Sequence, residues 1–218
     1  MTRLHFNTEM GNIHAQILTM TLTILDNLRK ARSCVVNADP AELPAVKKAD
    51  SEIDSMQLRI EDSVAVLIAT QQPAARDLRE MVSLFKILDN LERIGDYVVH
   101  FAKASKILAE DPFPRPIDRL IRMSETCETM LDAVIKAYLN QDSDMAFAAA
   151  QKDDIIDKDH KAFVSEILSL MADNPARAGQ AFKLIQTSTY LERFGDHVTN
   201  IAEAVVFMIT GKHEELNP

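Results

Sequence analysis

The octapeptide Leu91-Glu92-Arg93-Ile94-Gly95-Asp96-Tyr97-Val98 returns one hundred residues later as Leu191-Glu192-Arg193-Phe194-Gly195-Asp196-His197-Val198, identical at six of eight positions. Two upstream features return with it. Asp50-Ser51-Glu52-Ile53-Asp54 has its counterpart in Asp153-Asp154-Ile155-Ile156-Asp157, and Pro73-Ala74 in Pro175-Ala176. Offsets of 100, 103 and 102 preserve order and spacing across a whole half of the 218-residue chain. A repeat of this length is one folded unit written twice.

Each unit reads as helices. Breakers are few and clustered, at residues 37–40, 71–73, 111–116, 140–142 and 173–175, and they cut the chain into six segments. Five glycines and no tryptophan in 218 residues argue against strand-rich folds. Apolar residues recur at helical spacing. Val46, Ala49, Ile53, Met56, Ile60, Val64 and Leu67 form one stripe. Leu84, Ile87, Leu91, Ile94, Val98, Phe101 and Leu108 form another, with Ser105 as its gap. Leu184, Leu191, Phe194, Val198, Ile201, Val205 and Met208 form a third, with Thr187 as its gap. Such stripes are the seams of antiparallel bundles. The expected fold is all-α: two tandem antiparallel three-helix bundles over residues 1–110 and 117–213. The linker is expected at 111–116, where Pro112, Pro114 and Pro116 crowd together.

A formal net charge of −9 disfavours direct binding of nucleic acid or anionic membranes. No stretch is long and apolar enough for membrane insertion, and the N-terminal residues lack a signal-peptide core. Cys34 and Cys127 are far apart and form no CxxC motif, so buried thiols in a reduced, cytoplasmic chain are expected.

The chemistry lies in four acidic pairs at i, i+4 spacing: Asp50/Asp54 and Glu92/Asp96, then Asp153/Asp157 and Glu192/Asp196. Each pair puts two like charges on one helix face, at a cost of about 0.2–0.5 kcal/mol. The helical wheel sets the acids at the rim between core and water. Counted from the turn near Gln72, Asp54 and Glu92 stand at levels of roughly 27 and 30 Å, and Asp50 and Asp96 at about 33–36 Å. Antiparallel helices therefore bring Asp54 opposite Glu92 and Asp50 opposite Asp96, and the second half repeats the levels. Four carboxylates converge in one groove per bundle, a donor set for Fe, Zn, Mn, Mg or Ca. His100 and His197 stand near enough to add nitrogen ligands. Arg93 and Arg193 are expected to point elsewhere. Gly95 and Gly195 sit mid-helix at a cost of about 1 kcal/mol each, which implies either room for an ion or close helix–helix approach. His5, His14 and His213 have no companions that give them a role, and no phosphate loop, HExxH or GxSxG motif is present.

The repeated L-E-R-x-G-D-x-V motif, the following Asn200-Ile201-Ala202-Glu203 and the D-x-x-x-D pairs together resemble the PhoU family of phosphate-uptake and phosphate-signalling regulators over about residues 5–212. The first copy departs from the family pattern at Tyr97 and His100. The resemblance implies two three-helix bundles carrying multinuclear metal clusters, with Fe or Zn at the acid pairs, and no enzymatic activity. It further implies a cytoplasmic homodimer or higher oligomer that links the ATPase subunit of a phosphate ABC transporter to a sensor histidine kinase and represses the phosphate-starvation response. The residues alone leave two other readings open. One is a carboxylate-bridged metalloenzyme, for which Asp157-x-x-His160 approaches the required spacing. The other is a metal-free helical adaptor.

Overall fold

A computed structural model describes residues 3–110 and 117–216; the expected linker at 111–116 lies outside the described residues. The first half contains α1 (Arg3–Asn37), α2 (Leu43–Gln71), α3 (Ala75–Ala102) and the short α4 (Ala104–Glu110). The second contains α5 (Ile117–Asn140), α6 (Ser143–Ala150), α7 (Asp153–Asp173), a 3-10 turn (Pro175–Arg177) and α8 (Ala178–Thr210). No strand occurs among the described residues.

Two of the six expected segments are broken. At Lys103 the backbone N–H reaches Val99 O at 3.2 Å, and a turn separates α3 from α4. In the second half, Asp142 caps α6 by accepting the Met145 amide at 3.0 Å. A turn at Gln151–Lys152 then restarts the chain as α7, with Asp153 and Asp154 in its first turn, where carboxylates complement the helix dipole.

The three apolar stripes line the core as the periodicity requires. All seven positions of the α3–α4 and α8 stripes are buried. Both gaps are buried hydroxyls that bond backbone: Ser105 Oγ donates to Ala102 O at 2.7 Å and Thr187 Oγ1 to Lys183 O at 2.9 Å. A buried hydroxyl satisfied in this way carries little penalty.

Helices α1, α2 and α3 make one antiparallel bundle, and α5, α7 and α8, with α6, make the other. They dock through α3 against α8, the most extensive pairing in the molecule, and through α1 against α5. The α3–α8 pair is antiparallel. Arg79 Nε donates to Met208 O at 3.1 Å near one end, and Asn90 Oδ1 lies 2.7 Å from His197 Nδ1 further along. The repeat makes residues 90 and 190 equivalent, and likewise 97 and 197. Asn90 meets His197 while Tyr190 stacks on Tyr97 with ring centroids 6.1 Å apart. Tyr97 and His197 meet each other, with 3.5 Å between the hydroxyl and Nε2. The halves are thus related by a local two-fold that passes close to this pair.

Candidate metal centre

Each acid groove is built by the bundle's second and third long helices. In the first, α2 supplies Asp50 and Asp54, and α3 supplies Glu92 and Asp96. In the second, α7 supplies Asp153 and Asp157, and α8 supplies Glu192 and Asp196. Ile53 and Ile156 are fully buried beneath the pairs and hold α2 and α7 in phase.

The structure brings each set of four together. Burial first, then the charges of Asp96, Asp54 and Glu92, push the Asp50 carboxyl up to about 6. Burial, then Asp196, Asp157 and Glu192, push Asp153 up to about 7. Burial and the neighbouring acids also raise Asp54, Glu92, Glu192 and Asp196 above the usual carboxylate range. Opposed like charges and desolvation act in the same direction. Asp96 and Asp196 are the foremost charges acting on Asp50 and Asp153, as the expected levels require. Asp96 acts on Asp54 as well, and Asp54 in turn helps to raise Glu92.

The acids are not uniformly at the rim. Asp153 is only 5% exposed, whereas Asp54 stands in solvent. The mid-helix glycines account for the inner position. A Cβ on Gly95 would lie 3.2 Å from Asp50 Oδ1, and one on Gly195 would lie 2.2 Å from Asp153 Oδ1. The space a side chain would fill therefore holds the inner carboxylate of the facing helix.

Cations stand nearer than the sequence suggests. Arg93 does not point away; it lies 3.6 Å from both Glu92 Oε2 and Asp96 Oδ2, because i−1 and i+3 neighbours lie within reach of a long side chain. Lys161 Nζ is 3.3 Å from Asp157 Oδ2. The two histidines turn to the α3–α8 seam. His197 is engaged by Asn90 and Tyr97, and His100 stacks on Tyr190 with centroids 4.5 Å apart. His160 Nδ1 lies 3.0 Å from Ser188 Oγ. Cys34 and Cys127 are free buried thiols whose pKa is raised by burial.

Among the described residues, no three Asp, Glu, His or Cys side chains are gathered on a point able to hold a metal ion. The acids line the groove walls instead. Glu92, Asp96 and Asp157 have side chains 22%, 43% and 36% exposed, which leaves them room to turn inward. The donor chemistry fits a hard cation: four carboxylates per groove, and a buried Asp50 oxygen without a hydrogen-bond partner.

Two groups of residues escaped the sequence reading. Thr199, 1% exposed, stands beside Asp153; the signal was its counterpart Val99 in the first copy. Between the bundles, His14 Nδ1 and the buried Tyr138 hydroxyl are 2.5 Å apart, and His14 Nε2 is 3.4 Å from Glu80. Helical periodicity carries no signal for that contact, because its members lie 124 residues apart.

Comparison with known proteins covers nearly the whole chain. The family model for the PhoU domain matches twice, at residues 17–105 and 120–205. A phosphate-specific transport system accessory protein PhoU homolog from Clostridium acetobutylicum is 32% identical over 218 residues, 100% of both chains. Its namesake from Pseudomonas aeruginosa is 29% identical over 94% of this chain and 86% of its own. The crystal structure of PhoU from Pseudomonas aeruginosa superposes with a TM-score of 0.90 at 29% identity, covering 95% of this chain and 100% of that one. The phosphate transport system regulatory protein PhoU from Streptococcus pneumoniae gives 0.88 at 28% identity, covering 96% and 99%.

Proposed function

The chain belongs to the PhoU family, and from that premise we propose that it is an accessory regulator of phosphate transport that works by binding rather than by catalysis. Its partners in this reading are the ATPase subunit of a phosphate ABC transporter and a sensor histidine kinase. It acts in the cytoplasm, as a homodimer or higher oligomer, to hold the phosphate-starvation response down. No helix among the described residues is long and apolar enough to cross a membrane, which is compatible with docking onto the transporter from outside the bilayer.

The observation that supports the metal part of this reading is the lining of each groove by four carboxylates close enough to act on one another, each inner one seated against a glycine. A divalent or trivalent cation bound there would supply charge neutralisation. Asp50 and Asp153 form the floor of the grooves, and the partly exposed acids of α3, α7 and α8 close over them. Because α3 and α8 carry half the acids of each groove and also pack on each other, the state of the grooves bears on how the two bundles meet, and so on the surface offered to partners.

Elemental analysis of protein purified without added metal or chelator tests this reading, beside a Glu92→Ala/Glu192→Ala variant. Stoichiometric Fe, Zn or Mn is expected in the parent, with loss in the variant. The same pair is then compared for binding to the transporter ATPase by biolayer interferometry, where metal removal is expected to weaken the complex. Unchanged metal content in the variant would move the site elsewhere, and unchanged ATPase affinity after metal removal would detach metal from regulation.

A further inference from the structure

Two differences between the halves fall on the helix face that looks at the inner aspartates. Along α3, residues Glu92, Asp96, Val99 and Lys103 share a stripe about 60° wide. Along α8 the same stripe reads Glu192, Asp196, Thr199 and Glu203. Where the first copy brings methyl groups and an ammonium, the second brings a hydroxyl and a carboxylate.

The surroundings give these differences consequence. The buried Thr199 does not spend its hydroxyl on the carbonyl one turn back, as Thr21 and Thr187 do; its oxygen is buried without a geometric hydrogen-bond partner, beside Asp153. Lys103 occupies the turn that ends α3, with Nζ 3.4 Å from His100 Nδ1, and its positive charge reaches Asp50. At the matching place α8 runs on without a break to Thr210. There Glu203 accepts the Leu216 amide at 2.9 Å. The first copy thus has a cation whose charge reaches its inner aspartate, and at the matching position the second copy has a carboxylate.

We infer that the two grooves are unequal cation sites: the second, with Thr199 among its oxygens, takes a divalent cation more tightly, and Lys103 is a resident counter-charge that a cation entering the first must overcome. This rests on the reading of the acid clusters as cation sites. An ammonium beside the ligands opposes an incoming cation by direct charge repulsion and already stabilises the carboxylates that the cation would stabilise.

The test uses the full chain, stripped of metal by chelator and titrated with Mn2+ by calorimetry and by loss of the free-Mn2+ electron spin resonance signal. Asp153→Asn/Glu192→Gln leaves only the first groove, and Asp50→Asn/Glu92→Gln only the second. The second-groove protein is expected to bind at least about fivefold tighter. Lys103→Met keeps the aliphatic stem and is expected to tighten the first groove about 3- to 10-fold while leaving the second unchanged. Thr199→Val is expected to weaken only the second, and circular dichroism checks that each variant is folded, with Lys103→Gln replacing Met if needed. Equal affinities, or no response to loss of the Lys103 charge, would overturn the inference and leave the cation reading intact. A parent chain that binds no Mn2+ would overturn both.

Discussion

A methyl group at Gly195 would lie 2.2 Å from Asp153 Oδ1 and 3.0 Å from Ile156 Cδ1, whereas at Gly95 the nearest atoms are at 3.2 and 3.4 Å. Helix propensity alone favours alanine at both sites by about 1 kcal/mol. The first separation cannot survive, and a buried carboxylate has nowhere good to go. Gly195→Ala is therefore expected to lower stability by about 1–3 kcal/mol in urea titrations, while Gly95→Ala stays within about 1 kcal/mol of the parent. Equal effects would mean that the α7–α8 approach is no closer than that of α2 and α3. The glycines and the acid spacing were legible in the sequence, because both break a local rule: glycine inside a helix and like charges one turn apart. Which acid goes deep was only faintly legible. On a helical wheel Asp50 lies about 60° from the core residue Ile53 and Asp54 about 100°, and the approach of the facing helix turns that small difference into burial.

Helix ends and helix pairings were less legible. The turns at Lys103 and Gln151–Lys152 contain neither glycine nor proline, and both read as continuous helix by periodicity. The α1–α5 contact rests on pairs far apart in the chain. Arg29 Nε donates to Glu128 Oε1 at 2.7 Å, Arg32 Nη2 pairs with Glu128 Oε2, and Arg32 Nε donates to Ser124 Oγ at 2.9 Å. Partial burial would raise the Glu128 pKa, but the two arginines prevail and hold it below its usual range. A carboxylate depressed in the folded state stabilises the fold above its unfolded pKa of about 4.3 and loses that contribution as pH falls through the folded value. Glu128→Gln should thus cost about 1 kcal/mol near pH 7, and the gap between parent and variant should begin to close near the unfolded value of about 4.3 and vanish as pH falls through the lower folded one. A gap in melting temperature that persists at pH 3 would assign the loss to packing instead of charge.

At the scale of the molecule, two bundles were legible and their docking was not. The face that α3 and α8 turn to each other is polar and aromatic, with Asn90, Tyr97, His100, Tyr190 and His197, and residues of that kind read as solvent-facing in a sequence. Because this is the most extensive helix pairing in the structure, the halves are expected to unfold together. Urea unfolding followed by circular dichroism and by tyrosine fluorescence should give one coincident transition. Two separated transitions would show that each bundle stands alone. The local two-fold also carries a consequence for duplication. Two separate, identical chains meeting at such an axis would have to oppose tyrosine to tyrosine or histidine to histidine. With both copies on one chain, position 97 faces position 197 as an unlike couple. That makes the union of the halves directional, so that neither half is a substitute for the other.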